Sequence, residues 1–539
     1  MARAHQYPRL ILAVVCLPVF VGALDLTIVS AVLPEVIRSM TVEIQKLDIV
    51  GWVVTGYFVS YAIGMTFMGR VSDISGRRVV YLVCLAIFFV GSWLVAASPG
   101  WPARIASGIF TVLQKERFDP AFAPLYALIF GRVIQAFGAG AMVPVSMALV
   151  ADLFPPEKRA LPLGIVGAVD TAGWVLGHLY GGIMVQFMPW PYLFWINLPI
   201  IAVMFAVTWW GLAGLRTDAK GSVDWIGVTL LGIALVLLNV GLGSPEIASD
   251  VSTNPPQHRM YWVVSAVVAF VIFLISQRRI KEPILDLSIF SNRNVSAATG
   301  VNLLVGFCIM VALVSVPIFI NVAGAAESTK RAALVTGYLL CAFTVPMALA
   351  AIPGGWLSLR FGYRWSVIGG LAVAIIGFLM MSSWKVEMAK QAVAFFENPG
   401  GPERADVAGV GFMAAGLALA GIGIGLTIAP IGTAVVNGVR EQERGMAASL
   451  VIIVRLIGMS VSMSSVTAYG LRRTTVLGRE MLRPEDALDL ERTARVALDA
   501  VTKVTDEIAL IALAVAAGAV GIAFLLQRGD VRAPYRTAT

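Results

Sequence analysis

Apolar residues run along this chain in stretches of about 20, each closed by a short polar segment. That length crosses the hydrocarbon core of a bilayer. Inside lipid such a stretch must be helical, because each backbone amide needs a partner within its own segment. The pattern predicts about fourteen spans. Six fill residues 10–213 and form a first bundle. Two more, near Trp225–Val240 and Tyr261–Ile275, form a hairpin within an insertion over residues 214–294. The last six fill residues 295–527. The expected fold is all-α and polytopic: two six-helix bundles joined by a two-helix insertion.

Three connections are longer than the joins require. Trp101–Asp119 mixes apolar and charged residues, as either a short interfacial helix or a loop insertion would. Trp384–Asp406, an extended hairpin in the second bundle, carries Val393-Ala-Phe-Phe396 between Lys390 and Glu397. Leu471–Thr505 keeps charged and apolar residues at helical spacing, so it extends its flanking spans as helices.

Composition sharpens this picture. The chain is 58% hydrophobic and only 13% charged, too apolar for the surface of a soluble protein of 539 residues. Its net charge of +8 is not the footprint of a nucleic-acid binder. Arg70, Arg77, Arg78, Lys158, Arg159, Arg216, Lys220, Arg278, Arg279, Lys281, Arg360, Arg364, Arg440 and Arg444 fall on alternate loops. This positive-inside pattern puts both termini in the cytoplasm and the chain in the inner (plasma) membrane. Cys16, Cys84, Cys308 and Cys341 lie inside apolar runs and act as small hydrophobes, not as a disulfide or metal framework. The first apolar run follows Arg3 and Arg9 as a secretory signal would, but it continues past Asp25 to Leu33 without a convincing cleavage site, so it reads as a retained span.

Between the second and third runs lies the decapeptide Gly69-Arg-Val-Ser-Asp-Ile-Ser-Gly-Arg-Arg78. Gly69 and Gly76 permit a sharp bend, Asp73 can face the N-terminus of a neighbouring helix, and Arg77 and Arg78 hold the turn to the cytoplasmic face. Such a turn is a latch that can break and reform. A worn copy, Gly355-Trp-Leu-Ser-Leu-Arg-Phe-Gly-Tyr-Arg364, has Leu359 in place of the Asp. One turn used twice between hydrophobic hairpins points to a duplicated transporter, with the stronger lock in the first half. Other motifs are missing: no Walker A loop for ATP, no nucleophile elbow, and only three widely separated His residues. No enzyme, metal site or cofactor is expected.

Asp25, Arg132, Asp170 and Arg455 interrupt apolar runs. A charge at the bilayer centre costs at least about 2.5–3.5 kcal/mol on insertion scales, so these side chains should face a bundle interior. Burial without a partner favours the neutral form of a carboxyl group, which lets it carry a proton. Asp25 is the first candidate carrier and Asp170 the second, with Arg455 as the expected ion-pair partner of one or both. Arg132 is a structural charge or a relay. His178 is a core residue or a pH sensor. Gly138, Gly140, Gly173, Gly177, Gly181 and Gly182 mark close helix packing. Pro144 and Pro430 are expected to kink their helices.

The decapeptide resembles the signature loop of the major facilitator superfamily. Leu24–Val29 with Leu33-Pro-Glu35, Gly131–Gly140, Gly173–Gly182 and Phe194–Pro199 resemble first-, fourth-, fifth- and sixth-span motifs of its fourteen-span drug:proton antiporters. The resemblance implies the major facilitator fold and makes Arg132 the family's buried arginine. Trp384–Asp406, Gly421–Pro430, Gly445–Arg455 and Tyr469–Arg473 are similar to the mycobacterial exporters of triacylglycerides and glycolipids. That likeness implies a carboxylate–arginine pair closing the central cavity, an outer hairpin (Trp384, Phe395, Phe396) that hands lipid onward, and a lipid-carrying lipoprotein partner. The chain departs from these patterns at His178, where Pro is usual, at Asp170, where Glu is expected, and in the insertion at Trp101–Asp119. The expected function is proton-coupled export of a hydrophobic substrate, triacylglyceride or a related lipid, by a monomer working among membrane lipids. Multidrug efflux is the alternative, and a receptor or scaffold a distant one.

Overall fold

The computed structural model describes residues 8–40, 47–112, 122–154, 160–213, 224–243, 257–280, 283, 285–324, 329–397, 407–439, 444–481 and 490–527. They form α1 (Pro8–Ser39), α2 (Leu47–Ser75), α3 (Arg77–Ala97), α4 (Trp101–Val112), α5 (Ala123–Leu153), α6 (Ala160–Phe187), α7 (Pro191–Gly211), α8 (Trp225–Gly243) and α9 (Gln257–Arg279). A short 3-10 turn at Leu287–Ser291 follows. Then come α10 (Arg293–Gly324), α11 (Thr329–Met381), α12 (Val386–Glu397), α13 (Val407–Asn437), α14 (Arg444–Met481) and α15 (Leu490–Ala523). Twelve segments among the described residues are long and apolar enough to cross a membrane, so the chain is a multi-pass membrane protein.

One of the twelve, Ala332–Met381, has 50 residues, far more than the roughly 20 that one crossing needs. It breaks at Gly362, whose φ of 79° and ψ of 166° cannot continue a helix. It is long enough for two crossings, so the twelve segments are roughly consistent with the expected fourteen spans. Pro144 and Pro430 sit inside helices that run on through them. The join at Leu471–Thr505 behaves as its spacing predicts: α14 runs to Met481 and α15 begins at Leu490. A bidentate pair of Arg473 with Glu507, at 3.0–3.1 Å, ties the two helices there.

The chain divides into two compact units. The first holds residues 1–284 with the stretches Ala325–Tyr338 and Met463–Arg472; the second holds the remainder. In the first unit α1 lies along α6, and α5 lies along both α2 and α3. These contacts are close because the facing positions are small. Gly173, Gly177 and Gly181, four apart on α6, each rest on an α1 backbone carbonyl, those of Phe20, Leu24 and Ile28. Gly138 and Gly140 on α5 meet the carbonyls of Cys84 and Tyr61 in the same way. Large side chains there would hold the helices apart and forfeit the dispersion contacts that stand in for a hydrophobic effect in lipid.

The α8–α9 hairpin is clasped by one buried carboxylate. Asp224 Oδ1 accepts the backbone N–H of Gly227 at 2.7 Å, capping α8, while Oδ2 accepts from Gln277 Nε2 of α9 at 2.6 Å. Removing an N-cap acceptor costs about 0.5–2 kcal/mol. Asp224→Ala is therefore expected to raise amide hydrogen exchange at the start of α8 and leave exchange in α1 and α5 unchanged.

Candidate functional site

Five helices of the first unit bring polar side chains to one dry point. Asp25 of α1 is 0% exposed and Arg132 of α5 is 1% exposed. Arg132 Nη1 donates to Asp25 Oδ2 at 2.6 Å and to Gln135 Oε1 at 2.8 Å. Gln135 Nε2 donates to Asp25 Oδ1 at 3.0 Å and to Ser92 Oγ of α3 at 2.9 Å. Asn197 Nδ2 of α7 reaches the same Oδ1 at 3.4 Å. The ring of Tyr57 on α2 covers the guanidinium, 3.9 Å from its carbon. Cation–π contact and charge-assisted hydrogen bonds offset the desolvation that an isolated charge would suffer here.

The arrangement has two electrostatic states. With Asp25 ionised, both carboxylate oxygens are bound and Arg132 is neutralised. A proton on Asp25 removes that charge, and the guanidinium must find other compensation. Among the described residues the ion-pair partner of Asp25 is Arg132, where the sequence suggested Arg455. The reason lies in spacing: Arg132 and Gln135 stand three apart, so they project from one face of α5 toward α1.

The repeated turn is also built from the backbone up. Among the described glycines, Gly76 and Gly362 take positive φ, at 93° and 79°. Each sits seven places after the first glycine of its copy. In each copy the serine at the fourth place donates to the carbonyl of that first glycine: Ser72 to Gly69 at 2.6 Å, Ser358 to Gly355 at 2.7 Å. The following basic residues reach helix ends. Arg77 donates to the carbonyl of Ala148 near the end of α5. Arg78 donates to the carbonyl of Trp209 near the end of α7 at 2.8 Å and lies over its indole. In the second copy Arg364 lies over Phe524, just past the end of α15, at 4.9 Å. A cation at a helix C-terminus meets the negative end of the dipole. The side chain of Asp73 falls outside the described residues.

This turn, used twice, and a buried arginine on the helix after the first hairpin agree with one sequence family. The profile of the Major Facilitator Superfamily matches residues 15–463. The chain belongs to the Major Facilitator Superfamily. Among its relatives is the triacylglyceride transporter of Mycobacterium tuberculosis, 31% identical over 487 residues, which cover 89% of this chain and 86% of the relative. The triacylglyceride transporter of Mycobacteroides abscessus is 32% identical over 465 residues, covering 85% of this chain and 81% of the relative. Solved superfamily structures share the fold. A bacterial homologue of the human lysosomal transporter Spinster, inward-facing and occupied, superposes with a TM-score of 0.58 at 14% identity over 99% of both chains. A D-xylose–proton symporter gives 0.55 at 14% identity over 92% of this chain and 96% of its own.

Other expected site residues of this superfamily member are placed differently. Asp170 is half-buried on α6, and Arg455 is half-buried on α14, where its Nε donates to Asn302 Oδ1 of α10 at 3.2 Å. Asp170 belongs to the first compact unit and Arg455 to the second. His178 is fully buried on α6, and its carbonyl abuts Gly337. Trp384, expected in the hairpin that hands lipid onward, is 1% exposed and packs against Phe319 with ring centroids 5.4 Å apart. It anchors the start of the hairpin, because an indole of that size gains more from a filled core site than from a loop surface. The side chains of Phe395 and Phe396 lie outside the described residues. Gln135, Asn197, Ser92 and Tyr57 went unnoticed in the sequence. Gln135 was detectable as the i+3 neighbour of a buried arginine, and Asn197 as the one amide in an apolar run. Ser92 and Tyr57 carry no such mark.

Proposed function

We propose that this protein is a proton-coupled secondary active exporter that moves triacylglyceride or a related lipid out of the inner membrane toward its outer side by alternating access. The observation that carries the reading is the likeness, along nearly the whole chain, to proteins named triacylglyceride transporters. The buried Asp25–Arg132 pair supports proton coupling, since a carboxylate paired with a guanidinium inside a membrane-spanning bundle is a group whose charge can be switched. Asp170 and Arg455 serve as the further pair of the central cavity, and the turn at Gly69, Asp73, Gly76, Arg77 and Arg78 as the cytoplasmic latch. A proton crossing the membrane field supplies about 2.3 kcal/mol per 100 mV, enough to drive a substantial gradient. The termini lie in the cytoplasm, the protein works as a monomer, and a periplasmic lipoprotein receives the lipid.

The test is reconstitution in liposomes with an imposed proton gradient, comparing labelled triacylglyceride with a lipophilic cationic dye. Gradient-dependent movement of the lipid is expected. Movement of dye alone would replace the reading with drug efflux, and movement of neither would remove transport of both classes.

A further inference from the structure

The insertion at α4 is built inside out. On its 12-residue helix the residues turned toward the protein are small or mildly polar: Pro102 and Ala103 are buried, and Ala106 and Ser107 are half-buried. Those turned outward include Trp101, Ile105 and Ile109, with Ile105 54% and Ile109 51% exposed. Spaced four apart, these three form one stripe. Gly108 lies within the exposed arc and Arg104 on its flank. In water, a helix this short would turn its isoleucines inward and its serine outward. The reverse order requires an apolar medium outside.

The neighbouring helix says where that medium lies. On α3 the exposed positions Val79, Val83, Ala86, Val90 and Trp93 follow a spacing of four, three, four and three, a continuous apolar stripe along one side of a membrane-crossing helix. Trp93 ends the stripe about 24 Å along the axis from Arg77, at 1.5 Å per residue, close to the thickness of the hydrocarbon core. There its ring meets Trp101 of α4 with centroids 5.2 Å apart. The stripe of α4 therefore joins that of α3 at this tryptophan pair. Paired tryptophans suit the headgroup boundary.

We infer that α4 is a lipid-binding interfacial helix: its Trp101–Ile105–Ile109 face sits among the lipids of the leaflet opposite the Arg77 end of α3, with the Arg104 guanidinium on their headgroup phosphates. The occupant is the host membrane itself, because the face is continuous with a lipid-facing stripe and carries a cation at its edge. This holds whichever substrate the transporter moves.

The test places nitroxide labels at Val90→Cys, Ile105→Cys and Ile109→Cys, one at a time, in full-length protein whose four native cysteines are changed to Ala. The protein is reconstituted in vesicles of phosphatidylcholine and phosphatidylglycerol. Collision with oxygen and with a water-soluble nickel chelate reports depth. Labels on α4 are expected about 5–10 Å below the phosphates, shallower than the Val90 label. Dominant collision with the nickel chelate would mean a water-facing helix and overturn the inference. Shielding from both probes would mean a face packed on protein and overturn it equally. Arg104→Gln is expected to reduce the fraction of spin-labelled phosphatidylglycerol immobilised by the protein. An unchanged fraction would remove the headgroup contact.

Discussion

Asp25→Asn is expected to abolish proton-driven transport and, in the same variant, to lower thermal stability in detergent by a large margin. The two losses have separate causes. Asp25 accepts from Arg132, Gln135 and Asn197 at a point that water does not reach. An asparagine there keeps the shape and one acceptor but leaves the guanidinium without its counter-charge. Breaking a buried pair by removing one partner costs about 3–5 kcal/mol, mostly because the remaining charge stays buried. Tyr57 and Gln135 supply only partial compensation. A second variant separates stability from coupling. Asp25→Asn combined with Arg132→Gln removes both charges, so neither is left buried without its partner. The double variant should therefore regain most of the lost stability and none of the proton-driven transport. Thermal melting of both variants, followed by flux in liposomes under an imposed gradient, checks this. A double variant that still transports on a proton gradient would remove Asp25 as carrier. A single variant as stable as the native protein would show that Arg132 does not depend on it.

The turn and the buried pair were legible to different degrees, for physical reasons. Gly76 and Gly362 are visible in the sequence because a backbone conformation that only glycine adopts leaves a mark no other residue can replace. Helix positions were legible because lipid demands apolar length, and that demand acts on every residue of a run. Pairing was not. Asp25, Arg132, Asp170 and Arg455 all announce themselves by their cost in an apolar run, but the cost does not say who meets whom. That depends on helix rotation and rise, and small polar residues such as Ser92 fit into apolar segments too cheaply to stand out. The burial of Trp384 was not legible for a related reason: a tryptophan at the edge of a membrane segment fits a boundary belt and a filled core site equally well in sequence. The exposed isoleucines of α4 could not be assigned a face until the backbone showed which side carried Pro102 and Ala103.

The two turns should respond alike to substitution at the second glycine, although only the first retains an aspartate. Gly76→Ala and Gly362→Ala each place a Cβ on a residue whose φ, 93° and 79° respectively, L residues rarely adopt. The ψ of 166° at Gly362 puts it in a region that is essentially glycine-only. Each substitution is expected to destabilise the protein by about 1–3 kcal/mol. The first glycine of each copy is different. A Cβ on Gly69 would meet Pro144 at 3.7 Å, and one on Gly355 would meet Ala429 at 3.5 Å, both ordinary contacts. Both residues lie within helices, where alanine is favoured over glycine by about 1 kcal/mol. Gly69→Ala and Gly355→Ala should therefore be neutral or mildly stabilising. Thermal melting of the four single variants in one detergent decides it. If alanine at position 76 or 362 is harmless, the positive-φ turn is not what bends the chain there. If alanine at 69 or 355 does as much damage, the first glycine is needed for helix motion rather than for the bend, and the duplicated turn has two hinge points per copy instead of one.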